Sequence, residues 1–200
     1  MTRSTETMTQ PSAYLLKRLV RLCFLPSVLV AVGGIAMPQS TPPTQSEVQA
    51  VYLYNFAKFV RWPQESKHDA LTICIVGDKI YSDTLTRVVA GEHIEGHPLA
   101  VRFIEQPADE AGCDILFIGL AAKEHLTSLL ANAINKPMLT VSDIPGFVGQ
   151  GGMIQFLLID NRVRFSVDIR AVQRSGIDLS SELLKVAAKV SGNTTGGPKP

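Results

Sequence analysis

The sequence predicts an α/β fold: a largely parallel β-sheet flanked by helices, with an antiparallel C-terminal hairpin strand. Three observations predict it. Continuous apolar runs recur at 71–78, 113–119 and 137–143, and strands apolar on both faces suit a sheet covered on both sides. Segments of helical character lie between them at 80–90 and 121–133. Beyond Asp160-Asn161, Val163, Phe165 and Val167 alternate with polar residues, the pattern of a hairpin with one face in the core.

The elements follow in order. Residues 1–36 read as an export signal: basic Lys17, Arg18 and Arg21, then an uncharged, mostly apolar stretch from Leu22 to Ile35 that ends in Gly33, Gly34 and Ala36. That stretch is short for a hydrocarbon core of ~30 Å. Cleavage is expected after Ala36. Residues 37–46, "MPQSTPPTQS", have no apolar pattern and form a flexible leader. Ser46 is the expected cap of a helix running to about Arg61, which Pro63 stops near Trp62. A buried strand at 71–78 is followed by a helix over 80–90 that Gly91 ends. Strands at 99–104, 113–119 and 137–143 follow, with a helix at 121–133 before the last of them. After the hairpin come a short helix at 169–175, a last helix over about 180–190 capped by Ser180 or Ser181, and a disordered tail at 191–200. Residues 47–190 thus make a single domain.

Composition excludes several functions. Removing 1–36 takes four basic residues (Arg3, Lys17, Arg18, Arg21) and one acid (Glu6) from totals of 19 and 18. That leaves 15 and 17, a formal net charge of −2, with no basic stripe for nucleic acid. The motifs G-x-S-x-G, H-E-x-x-H and C-x-x-C are absent, so no enzyme class is indicated and no cofactor is called for. Glu92, His93 and His97 lie close in sequence, but Gly96 and Pro98 exclude the helix that would align them on a metal. Cys74 and Cys113 remain after export, an even pair suited to a disulfide in an oxidising compartment; two buried free thiols are the other reading.

The helix "AVYLYNFAKFVRWP", the strands "ICIVGD" and "CDILFIG", then "LTVSDIPGFVGQGGMIQF", "RVRFSVDIRAV" and "GIDLSSELLKVAAKV" occur in that order. Together, over about 46–190, they resemble the YfiR-like family of periplasmic repressors of membrane diguanylate cyclases. The resemblance implies a non-enzymatic periplasmic regulator. It would bind the periplasmic domain of an inner-membrane cyclase, restrain cyclic di-GMP synthesis and hence biofilm formation, and be sequestered by an outer-membrane lipoprotein. Some relatives carry a second disulfide, but the matching places here are Val148 and Gln155, so redox control would rest on Cys74 and Cys113 and the loop 144–152 would be looser. Asp168 stands where many relatives have asparagine.

Several residues are candidates for contact. Five aromatics crowd the segment 52–62. On a helical wheel, Val48, Val51, Tyr52, Phe56 and Phe59 share the expected core side, leaving Tyr54 and Trp62 for a homodimer or partner contact. Phe147, in the Pro/Gly segment 143–152, and Ile177 and Leu179, just past Gly176, either tuck inward or form the cyclase-binding surface, the role expected here. An alternative function is a small-ligand sensor, with a crevice at the carboxyl ends of the strands near Gly77, Asp78 and Asp143.

Overall fold

The structure is a computed structural model and describes residues 42–63, 69–105 and 110–192. The signal peptide, the leader up to residue 41, His68 and the tail from 193 lie outside the described residues. The first helix, α1, spans Gln45–Phe59. Its cap is Thr44 rather than the expected Ser46: the Thr44 hydroxyl accepts from the Glu47 backbone N–H, and the Glu47 carboxylate accepts from the Thr44 backbone N–H. This reciprocal box needs a hydroxyl three residues before a glutamate, and Ser46 stands only one residue before it.

The chain then forms β1 (Val60–Arg61), β2 (Leu71–Val76), α2 (Lys79–Val88), β3 (His93–Ile94), β4 (His97–Ile104) and β5 (Ile115–Ile118). A 3₁₀ turn at Leu120–His125 leads into α3 (Leu126–Ala133), followed by β6 (Leu139–Ser142). The last elements are β7 (Ile154–Ile159), β8 (Arg162–Asp168), α4 (Ile169–Arg174), β9 (Asp178–Leu179), α5 (Ser181–Val186) and β10 (Lys189–Ser191). The main sheet runs in the order β10-β8-β7-β6-β5-β2-β4-β3. From β4 through β7 neighbouring strands are parallel; β7 and β8 form the expected antiparallel hairpin, and the short β3 adds an antiparallel edge. The hairpin turn places Asp160 and Asn161 at φ 49° and 57°, the doubly left-handed conformation that matches strand twist.

Strand side chains alternate between two cores. Ile73, Ile75, Ile115, Phe117, Leu139 and Val141 join residues of α1, α2, α4 and α5. Cys74, Val76, Leu116 and Ile118 join Leu126 and Leu129 of α3. The first core is ring-rich: Phe56 stacks on Phe156 at 5.8 Å between centroids and meets Phe165 edge-on at 5.0 Å. That is where most of the crowded aromatics go.

Two expectations are corrected here. Helix α1 packs against α2, β8 and α5 as well as the sheet, so its inward face is Ala50, Leu53, Phe56 and Ala57; Val51 and Phe59, expected on the core side, are 47% and 37% exposed. The last helix stops at Val186, and the chain re-extends as β10, parallel to β8, with Ala188 N–H donating to Phe165 O. The helical propensity of "LLKVAAKV" yields there to an open sheet edge. The loop 144–152, which has no disulfide, carries backbone bonds from Phe147 N–H to Ile144 O, from Gln150 N–H to Phe147 O and from Gly152 N–H to Phe147 O. Asp168 has a local role: it caps α4, accepting from the N–H groups of Arg170 at 2.9 Å and Ala171 at 3.3 Å.

Candidate functional site

The expected contact residues divide. Phe147 is fully buried, and a Cβ on Gly152 would fall 2.1 Å from its ring, so the loop is shaped around the plug. Ile177 is buried with Ala171, Val172 and Leu183. Both were expected on a contact surface and neither reaches it, because each is the apolar anchor that ties an irregular segment to the body. Leu179 and Trp62 are half-buried, and their segments pair. Val60 pairs with Leu179 and Arg61 with Asp178 in a small antiparallel sheet, and Ser180 N–H donates to Phe59 O at 2.9 Å. Tyr54, half-buried, donates its hydroxyl to the Glu92 carboxylate, with Lys58 3.9 Å above its ring. Val51 and Phe59 therefore accompany polar groups on the outer side of α1, with the half-buried Trp62 just past β1, a mixed composition common in protein interfaces.

Cys74 and Cys113 are bridged, with Cα atoms 5.8 Å apart, and both are buried. Cys74 sits on β2 and Cys113 just before β5, the adjacent parallel strand. Arg102, paired in register with Cys74 on β4, lays its guanidinium over the bridge. One Nη lies 3.1 Å from Cys113 Sγ and 3.5 Å from Cys74 Sγ, and it also donates to Ala111 O. No local pattern marks this arginine in the sequence, because its relation to the cysteines exists only across strands.

The order β4-β2-β5-β6-β7 is that of a doubly wound sheet whose connections diverge between β2 and β5. Helix α2 leaves β2 toward one core and α3 leaves β5 toward the other. Gly77, Asp78, Gly119 and Asp143 follow β2, β5 and β6 at this divergence, so the structure brings the alternative ligand residues together. Gly77 has φ +83°, and a Cβ there would lie 2.7 Å from Ala122, so only glycine fits. Asp78 caps α2 by accepting from Tyr81 N–H at 2.8 Å. Burial raises the pKa of the Asp143 carboxyl; the backbone N–H groups of Asp143 and Leu120 oppose this, and the Asp78 charge adds to it. Tyr81 packs in a tilted pair with Phe117, centroids 4.4 Å apart, and its phenol is pushed well up by burial and then by the charges of Asp143 and Asp78. Among the described residues neither Tyr81 Oη nor Asp143 Oδ1 has a hydrogen-bond partner. Sequence reasoning missed Tyr81, whose only mark was its place three residues after the capping aspartate. No group of three His, Cys, Asp or Glu residues able to hold a metal occurs among the described residues.

Comparison with known proteins places this architecture. Among solved structures, the chain is similar to a conserved domain protein from Vibrio cholerae O1 biovar El Tor, with 11% identity and a TM-score of 0.50 over 75% of this chain and 61% of that one. It is also similar to an ABC domain in complex with L-Trp from Streptococcus pneumonia, with 11% identity and a TM-score of 0.48 over 72% and 61%. The chain thus spans about 61% of the length of these structures. The first likeness is one of fold, an α/β domain. The model of the DUF4154 family, described as YfiR/HmsC-like, matches residues 46–188, from the first turn of α1 to the residue before β10, and the chain belongs to that family.

Proposed function

We propose that this protein is a periplasmic negative regulator that binds the periplasmic domain of an inner-membrane diguanylate cyclase and holds cyclic di-GMP synthesis down. The reading assigns it binding, not turnover. The observation that carries it is the family match over 46–188, which spans nearly all of the described body. The bridge between Cys74 and Cys113 supports it, since such bonds persist in oxidising compartments. No helix among the described residues is long and apolar enough to cross a membrane, so contact with a membrane cyclase would be made through the surface of this domain. That surface is the outer side of α1 together with the β1–β9 pair: Tyr54, Phe59, Trp62 and Leu179. A homodimer and capture by an outer-membrane lipoprotein would compete for the same limited apolar area.

The test passes solubilised inner membrane over the immobilised protein, with and without dithiothreitol, and identifies what is retained. A diguanylate cyclase should be retained from the untreated column, and less of it after reduction. Failure to retain any cyclase, together with unchanged cyclic di-GMP in a strain lacking the protein, would overturn the regulator reading. Equal retention on both columns would remove the redox part alone.

A further inference from the structure

The divergence point between β2 and β5 holds more acceptors than the fold needs. We propose that Asp78, Asp143 and the Tyr81 hydroxyl form a binding site for a primary ammonium group, that of a small alkylamine. Doubly wound sheets place ligands outside the carboxyl ends of their strands at this divergence, and all three residues belong to segments that leave those ends. In such a fold the ligand there is often an anion held by the N-terminus of the first helix. Here Asp78 occupies the Tyr81 N–H, and Lys79 turns to Asp83, so the helix end presents negative charge outward. A metal ion would find two carboxylates and a phenol, short of the usual protein donor set. An ammonium group has three N–H donors for three acceptors.

The second observation is the pair of unpartnered atoms. Tyr81 is 1% exposed and its Oη has no partner; Asp143 Oδ1 is buried and also has none. Buried polar atoms are nearly always paired, so two such atoms, the phenol within the field of both the Asp143 and the Asp78 carboxylates, mark a place for a missing donor. The place is reachable, because Asp78 and Asp143 are only half-buried, and Leu120, 56% exposed and next in chain to Gly119, offers a rim for a short alkyl tail. It is also narrow. Ala122 closes over Gly77, and a Cβ on Gly119 would lie 3.2 Å from Val76 O and 3.4 Å from Asp78 Cβ. A primary ammonium can donate to all three acceptors, whereas a quaternary one has no N–H to give them.

The experiment follows the melting temperature of the full chain against propylammonium chloride and against tetramethylammonium chloride at equal ionic strength. No cyclase is present, so the outcome is independent of partner binding. Propylammonium should raise the midpoint with concentration, as any ligand of the native state does, and tetramethylammonium should not. Tyr81→Phe keeps the ring and removes only the hydroxyl; it should weaken the apparent affinity about tenfold, as expected when a charged hydrogen bond is lost. Asp143→Asn should do the same. Equal shifts from both salts, no shift from either, or an undiminished shift in Tyr81→Phe would overturn the proposal. If Asp143→Asn fails to fold, the Tyr81→Phe result decides.

Discussion

Asp143 and Arg102 each sit where their charge has a consequence that can be measured. The folded-state pKa of Asp143 is raised by burial above its unfolded value. Its contribution to stability is therefore fully present below the unfolded pKa and is lost as pH rises through the folded one. Asp143→Asn should accordingly raise the melting temperature at neutral pH, with the gain shrinking as the solution is acidified toward the ordinary carboxylate range; melting curves across pH check this. A variant less stable than the parent at neutral pH would show that the charge is compensated. Arg102 lies within 3.5 Å of both sulfurs, and a guanidinium there favours the thiolate that leaves when the bridge is attacked. Arg102→Met should slow reduction of the bridge by dithiothreitol, followed by thiol titration under native conditions. Of these features, the sequence exposed the even cysteines and Asp143; it hid Arg102 and Tyr81, because register across strands has no local signature.

The loop 144–152 looks like a flexible, glycine-rich segment in sequence, and the structure makes it a plug. Phe147 is wholly buried with Cys113, Leu116, Ile118 and Ile144, and Gly152 has no room for a side chain beside it. Phe147→Ala should cost about 3–5 kcal/mol by leaving an unfilled site, measured by urea denaturation. A loss under ~1 kcal/mol would indicate that the ring contributes little to the packing. The same rule separates the well-read elements from the others. Strands β2, β5 and β6 are buried on both faces, so their apolar runs cannot be mistaken for solvent-facing segments. Helix α1 is apolar over most of its circumference, so the wheel alone could not tell which arc faces the core. The three residues of β10 carry too short a pattern to compete with helix propensity, and they become a strand only because the edge of β8 is open beside them.

At the scale of the whole molecule, the proposed contact surface joins two segments more than a hundred residues apart: the outer side of α1 and the β9 strand. Replacing Tyr54 and Trp62 together by serine should lower the mass seen by light scattering if copies of the chain pair through this face, while the fold, judged by circular dichroism, persists. An unchanged mass at equal stability would exclude pairing there and leave the face to the proposed cyclase contact. What the sequence determined by itself was the order of the main helices and the long strands, the hairpin at Asp160-Asn161 and the even cysteine pair, because each is set by neighbours a few residues away. What only the tertiary structure decided was exposure and long-range pairing: that Phe147 and Ile177 turn inward, that Val51 and Phe59 turn outward, that Leu179 comes beside Val60 and that Tyr81 falls within the field of Asp143. Burial is fixed by which distant element covers a residue, and no periodicity along the chain carries that information.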